Sequence, residues 1–535
     1  MSFLPEWLHC LRVRFASVAK FPIPVPHRGW RCLMAAMLAI WVTTIGITPV
    51  WAQPQPLQSY LDRAMAQVTE FTLDNGLKFI VLERHKAPVV SFITYADVGG
   101  VNEPVGQTGV AHYLEHLAFK GTQRIGTTNY DAEKPLLEKL DQLFDRIQKA
   151  RAKGEEDKIS ALQAEFDTVQ AEADAYVLQN QFGQIVEQSG GVGLNANTSA
   201  DATRYFYSFP ANKLELWMSL ESERFLEPVF REFFKEKQVI LEERRLRTEN
   251  SPIGKMLEVF LASAFEVHPY KNPVIGYTED LRNLTRQNVE DFFRTYYVPN
   301  NLTIAVVGDV NSDEVRRLAQ IYFGRFPKGA EPPAVAEVEP PQTEPREVTV
   351  RFPSEPWYLE GYHVPAFDSP DRPIYETIAS ILSDGRTARL YQSLVEQQQI
   401  ALTAQGFVGF PGDKYPNLML FYALTAPGRT IEEVATSLHA EIEKLTTQPV
   451  TANELERVKK NALSGLLRSL DSNSGMASLL VEYQVKTGDW RNLFTQLEAI
   501  ERITPQDVLR VARETFTPQN RTIGRLLPLE GAPEN

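Results

Sequence analysis

Gly109-Val-Ala-His-Tyr-Leu-Glu-His-Leu-Ala-Phe-Lys-Gly-Thr122 is the stretch from which the rest of the chain is read. His112 and His116 are four apart, so on a helix they stand one turn above each other on a single face. Glu115 lies beside that face. Two neutral imidazoles at this spacing can grip one Zn²⁺, and a carboxylate next to them can hold and deprotonate a metal-bound water. Leu114, Leu117 and Ala118 supply apolar positions away from the histidines, as a buried helix requires. The order His-x-x-Glu-His is the inverted form of the His-Glu-x-x-His zinc-peptidase signature. Histidines four apart also arise by chance, so the flanking sequence has to decide.

A third ligand is expected, because zinc in hydrolases takes three protein ligands and leaves a position for water. The candidate lies in Glu236-Lys-Gln-Val-Ile-Leu-Glu-Glu243. On a helix spanning 227–247, Phe233, Glu236, Ile240, Glu243 and Leu246 fall on one stripe. Two carboxylates are then set into an apolar face, where an unpaired charge is costly. A metal would relieve that cost; so would Arg244 or Arg245 turned onto the same face.

The 535 residues suffice for two to four folding units. With 43% hydrophobic and 23% charged residues the composition is that of an ordinary globular protein. A net charge of -13 argues against non-specific nucleic-acid binding, which needs a basic surface. Residues 1–52 differ from the remainder, with five Lys/Arg against one acidic residue. Arg28 and Arg31 precede an apolar run from Leu33 to Val50, and Val50-Trp51-Ala52 offers a small-residue cleavage site. This reads as a signal peptide removed after Ala52, leaving no stable membrane span. A retained membrane anchor is the alternative, though Thr43, Thr44, Gly46, Thr48 and Pro49 make a poor permanent span. An organellar transit peptide is a third reading. Cys10 and Cys32 both lie in this segment, so the mature chain would hold no disulfide and no thiolate ligand. Export to a bacterial periplasm fits that composition.

Beyond a Gln/Pro-rich lead, Phe71 to Leu82 reads as two strands turned at Asp74-Asn75-Gly76. Strands are also expected at Val89–Ala96, Thr203–Phe209 and Leu302–Val307, and helices at Leu214–Phe225 and Ser312–Phe323. The charged stretch 131–181 carries Leu136, Leu140, Leu143 and Ile147, then Ile159, Leu162, Phe166 and Val169, at helical spacing. With Gly154 as its turn it reads as an inserted helical hairpin, a packed excursion rather than a docking arm. Residues 328–346, rich in Pro, Glu and Ala, read as an exposed linker. Leu284-Thr-Arg-Gln-Asn-Val289 is echoed by Ile503-Thr-Pro-Gln-Asp-Val508, and Pro299-Asn-Asn-Leu-Thr-Ile304 by Pro518-Gln-Asn-Arg-Thr-Ile523, both at an offset of 219. Two tandem copies of one fold explain this. The second copy has only His363 and His439, far apart, so it is expected to lack the first copy's metal site.

Together the Gly109–Thr122 stretch, Leu194-Asn-Ala-Asn-Thr-Ser199, the Glu236–Glu243 segment and the paired domain ends resemble the pitrilysin/insulinase-type zinc metallopeptidases. The likeness runs from Phe71 to Leu527 and is nearest to two-domain bacterial relatives of mitochondrial processing peptidase. It implies an α+β fold of two tandem homologous α/β-sandwich domains, mostly antiparallel sheet with helices packed on it. The expected division is 65–327 for the catalytic zinc domain, including the 131–181 insertion, and 347–530 for a homologous domain without metal. It further implies that His112, His116 and Glu243 hold Zn²⁺, that Glu115 is the general base, and that Glu236 is a supporting carboxylate. Leu194 to Ser199 would be an edge strand to which an extended peptide substrate adds, with Asn195 and Thr198 at the contact. Two departures stand out. The span from the histidines to Glu243 is long, by the length of the charged insertion. The Arg/Tyr pair that many relatives carry in the C-terminal half is not found in Leu418 to Pro427. A homologous partner chain is therefore expected to supply it, with a homodimer as the other expected association. The competing expectation is a non-catalytic peptide-binding or scaffold subunit.

Overall fold

The computed structural model describes residues 65–529, so the segment read as a signal peptide lies outside the described residues. Two sheets organise the chain. The first contains β1 (Val68–Thr72), β2 (Lys78–Glu83), β3 (Val89–Ala96), β4 (Val192–Thr198), β5 (Thr203–Pro210) and β6 (Leu302–Gly308), in the order β1-β2-β6-β3-β5-β4. Only β2 and β6 run parallel; the other neighbours are antiparallel. The second sheet contains β7 (Arg346–Arg351), β8 (Trp357–Val364), β9 (Ala401–Phe410), β10 (Asn417–Thr425) and β11 (Arg521–Leu527), in the order β7-β11-β8-β10-β9, with β7 and β11 parallel. Removing β1 makes the two topologies identical.

The β1–β2 turn forms because Gly76 adopts a positive φ of 99° and Asn75 caps the turn, its Oδ1 accepting from the Leu77 amide at 3.2 Å. The Asn75 amide also donates to the Phe323 and Phe326 carbonyls, fixing the turn to the end of the first half.

The helices of the first half are α1 (Val110–Leu117), α2 (Tyr130–Arg151), α3 (Glu156–Asp174), α4 (Gln181–Gln188), α5 (Leu214–Leu226), α6 (Phe233–Arg244), α7 (Pro252–Ala264), α8 (Thr278–Asn283), α9 (Arg286–Tyr296) and α10 (Ser312–Tyr322). Those of the second are α11 (Arg372–Ser383), α12 (Ile431–Thr447), α13 (Ala452–Asp471), α14 (Asn473–Thr487), α15 (Asn492–Arg502) and α16 (Pro505–Thr515). The repeated motif acts the same way in both halves. Thr285 with Asn288 forms a capping box on α9, and Thr504 with Asp507 forms one on α16. Asn301 donates to the Asp97 and Tyr296 carbonyls, and Asn520 donates to those of His363 and Thr515. Each asparagine ties the end of a helix to a strand.

The halves exchange helices. α7 lies on β7 and β11 of the second sheet, while α14 lies on β3 and β6 of the first. Gly361 and Gly524 let α7 approach: a Cβ on them would come within 2.8 Å of the Phe260 ring and 2.5 Å of Met256 Cε respectively. Of residues 328–346, expected as an exposed linker, Arg346 already belongs to β7 and the rest have no regular structure but are stitched down. Glu339 accepts from the amides of Glu266, Val267 and His268 at 2.8–3.0 Å, and Gln342 donates to the Arg521 carbonyl.

The inserted segment is a hairpin of α2 and α3 turned at Gly154 (φ 68°). Its core holds Leu137, Leu140, Leu143, Ile147, Leu162, Phe166 and Val169, packed on Val229 and Phe234. Leu137, not the expected Leu136, takes the first buried position. At its root Glu133 and Arg231 form a fully buried pair at 2.9 Å, and Arg231 also donates to the carbonyls of Lys120, Thr122 and Ile125. The insertion is therefore bolted to the loop that leaves α1.

A candidate metal centre between α1 and α6

α1 begins without the usual side-chain cap, because its N-cap is Gly109 at φ 88°. Glu103 substitutes: its carboxylate accepts from the amides of Gly109 (2.8 Å) and Ala111 (3.0 Å), satisfying donors that a helix start leaves free. Burial pushes the Glu103 carboxyl up to about 8 despite those two bonds. Val110, Ala111, Tyr113, Leu114 and Leu117 are buried. Tyr113 stacks on Phe233 (ring centroids 4.8 Å apart) and its hydroxyl donates to the Phe233 carbonyl. That contact sets the register of α1 against the first turn of α6.

α6 is shorter than the helix expected from 227 to 247. Pro228 and the left-handed Glu232 (φ 56°) delay its start, and from Arg245 to Glu249 the backbone widens into a π-type turn. The widening takes Leu246 off the stripe, and it is 59% exposed. Glu236 and Glu243, seven residues apart, remain on the face turned to α1. Neither Arg244 nor Arg245 joins them: Arg244 pairs with Glu258 at 2.7 Å and Arg245 with Glu242 at 2.6 Å.

His112 Nε2 and His116 Nε2 lie 3.8 and 3.6 Å from the same oxygen of Glu243, and the three donor atoms fall within 4.8 Å of one another. These separations are too long for hydrogen bonds. They are near the edge of a tetrahedron, about 3.4 Å for metal–ligand bonds of about 2.1 Å. Two imidazoles and a carboxylate are also the donor chemistry zinc takes, so the residues fit such an ion. Among the described residues this is the only cluster of the kind. In the second half His363 bonds the Ala264 carbonyl and His439 pairs with Glu360.

Burial, with help from His116 and Arg247, holds His112 well below its ordinary value, which keeps its lone pair free near neutral pH. Burial would lower His116 too, but the hydrogen bond to Glu236 and the charges of Glu243 and Glu115 raise it on balance. The His116 Nδ1–Glu236 distance is 3.1 Å; Glu236 also meets Lys120, and these contacts hold it below the usual carboxylate range against its burial. His112 Nδ1 is buried without a partner. Glu243 turns its other oxygen to Arg247 at 2.7 Å. Glu115 accepts from the Thr198 hydroxyl at 2.6 Å, and burial raises its carboxyl although that bond opposes it.

β4 is an edge strand of the first sheet. Asn195 is half-buried there, with its Oδ1 accepting from the Ala196 amide. Thr198, expected at a substrate contact, donates its hydroxyl to Glu115. Sequence reasoning missed Glu103, Lys120 and Arg247. Lys120 lies inside the opening stretch and Arg247 is one turn beyond Glu243, so helical spacing could have found both; Glu103 acts across a loop and leaves no such signal.

A profile described as "Insulinase (Peptidase family M16)" matches residues 78–143, and one described as "Peptidase M16 inactive domain" matches residues 283–462. A zinc protease of Helicobacter pylori, PqqE, is 30% identical over 88% of this chain and 94% of its own length. The chain belongs to the M16, insulinase-type peptidase family. The probable mitochondrial-processing peptidase subunit beta of Schizosaccharomyces pombe is 23% identical, covering 89% of this chain and 95% of that protein. The crystal structure of a protease from Helicobacter pylori superposes with a TM-score of 0.73 at 29% identity, over 86% of this chain and 99% of that one. Among the described residues no helix is long and apolar enough to cross a membrane.

Proposed function

We propose that this protein is a zinc-dependent endopeptidase that hydrolyses extended peptides. The observation carrying the proposal is the clustering of His112, His116 and Glu243, with the Glu115 carboxylate beside them. A zinc ion held there would polarise the scissile carbonyl and acidify the attacking water. Glu115 takes that water's proton and returns it to the leaving amine nitrogen. Thr198 holds the Glu115 carboxylate in place, and Glu236 orients His116 through Nδ1. The edge strand β4, with Asn195 and Thr198, pairs with the substrate backbone, which gives grip with little sequence preference. Further stabilisation of the oxyanion comes from an Arg/Tyr pair on a homologous partner chain. Support for a partner lies in the absence of that pair from Leu418 to Pro427 and in the fungal relative being one subunit of a processing peptidase. The basic and apolar character of residues 1–52 supports export to a periplasm.

The second reading, a non-catalytic peptide-binding subunit, draws on the match to an inactive-domain profile. That match runs from residue 283 to 462, from the end of the first half into the second, and contains no residue of the cluster. Cleavage of a quenched peptide, measured with and without the homologous chain, separates the two. The proposal expects chelator-sensitive hydrolysis that Glu115→Gln abolishes while bound zinc is retained. Undiminished hydrolysis by that variant removes Glu115 from its role, and no hydrolysis under any condition favours the binding subunit.

A further inference from the structure

The inserted hairpin creates a second cavity unrelated to the metal cluster. It has a volume of about 620 Å³ and lies between α2, α3, α6 and α8. That is within the range of sites that hold a small organic ligand, roughly 300–1,000 Å³. At 100° per residue, the α6 positions that face it, Phe234, Lys237 and Leu241, point away from Glu236 and Glu243. Its walls are aromatic: Phe234 packs at 5.1 Å from Phe144 and 5.0 Å from Phe166, centroid to centroid.

A lysine stands among these rings. Lys237 is only 4% exposed. Its ammonium donates to the carbonyls of Leu284 (2.5 Å) and Arg282 (3.1 Å) and sits 4.2 Å from the centre of the Phe144 ring. Burial, with Arg151 nearby, lowers this amine to about 7. Carbonyl dipoles and a ring face solvate a cation but do not neutralise it, and a buried charge without a counter-ion is costly. Arg151 and Arg282 line the same cavity from exposed positions. None of these three cations has an ion-pair partner among the described residues. Lys235 at the rim is already paired with Asp174, and the one acidic lining residue, Glu279, accepts from Asn283. The cavity thus combines an apolar interior with an unbalanced positive charge at its inner end and mouth.

We propose that this cavity binds an apolar monocarboxylate. The carboxylate supplies the missing counter-ion to Lys237, the aliphatic or aryl body lies against Phe144, Phe166 and Phe234, and Arg151 and Arg282 attract the anion to the mouth. Such a group occurs on a free acid or at the C-terminus of a peptide ending in an apolar residue. The site does not depend on the metal cluster, and it exists because α2 and α3 roof the outer face of α6.

Calorimetric titration of the full chain with 4-phenylbutyrate, decanoate and N-acetyl-leucyl-phenylalanine, each against its alcohol or amide analogue, tests this. The acids are expected to bind, with the neutral analogues weaker by about tenfold or more, since a charge-assisted contact is lost. Lys237→Met should remove the preference for the acid. Arg151→Gln and Arg282→Gln, at exposed positions where folding is not at risk, should weaken the acids about two- to fivefold. Tighter binding of the free acids assigns a small-molecule ligand, and tighter binding of the peptide assigns a C-terminus. Equal affinity for acid and neutral analogue, an unchanged preference in Lys237→Met, or no binding of any acid up to about 10 mM overturns the proposal.

Discussion

Thr198 and Glu115 meet at 2.6 Å, a polar contact between the edge strand and the histidine helix. If Glu115 moves the proton, Thr198→Val should lower kcat by about tenfold, the worth of one charge-assisted hydrogen bond, with KM and zinc content little changed. A loss below about twofold would show that Glu115 is held by something else. Glu236→Gln weakens the hydrogen bond that orients His116, and zinc affinity should fall by about 10–100-fold, read by chelator competition. Unchanged affinity would make Glu236 a partner of Lys120 alone. His112, Glu115 and His116 were legible because one helical turn holds them all. For Glu243 the seven-residue spacing from Glu236 on an otherwise apolar stripe left a metal and an arginine partner both open, and only the family resemblance chose the metal. Glu103 was not legible: it caps α1 through backbone amides of Gly109 and Ala111, which no side-chain pattern records.

At the scale of elements, α1 and α6 are held by the Tyr113–Phe233 contact and by the Glu133–Arg231 pair, which bolts the hairpin to the loop after α1. Glu133→Ala leaves Arg231 buried without its carboxylate, and urea denaturation should show a loss of about 3–5 kcal/mol. A loss under about 1 kcal/mol would mean that the three carbonyls suffice for Arg231. Strands such as β5 were readable from alternation, with Tyr205, Tyr207 and Phe209 inward. The ends of α6 were not. Pro228 and the left-handed Glu232 shift its start, and the π-type turn after Arg244 breaks the 3.6-residue repeat on which the projection relied. Leu137 displaces Leu136 in the hairpin for a related reason, since both fit the spacing and only packing chooses between them.

Over the whole molecule, the repeat at 219 residues shows as two sheets of the same order, yet nothing in its period says that α7 and α14 each cover the other half's sheet. Periodicity tells which face of a helix is apolar but not what covers it. The exchange brings charges together between the halves. Asp201 accepts from the amides of Asp413 and Lys414 and from Tyr270, while Lys486 pairs with Asp413 and Glu482. Burial would raise Glu482, but Lys486 and Arg204 hold it well below the usual carboxylate range. A carboxylate with a lowered folded-state value stabilises the fold above its unfolded value of about 4.3 and loses that contribution as pH falls below it. Glu482→Gln should therefore cost about 2–3 kcal/mol at pH 7, and the difference should vanish as the pH is taken from 5 toward 2. Thermal midpoints of the two proteins across that range are the readout; a difference constant with pH would mean that the side chain acts by packing.

In the proposed centre, three side chains from two helices hold one zinc ion. Its most direct test is the zinc affinity of the purified chain and of Glu243→Gln, measured by competition with a chelator of known strength. One ion per native chain is expected, with an affinity at least about 100-fold lower in the variant, because a charged ligand is lost. Equal affinity in the two proteins, or no stoichiometric zinc in the native chain, would contradict it.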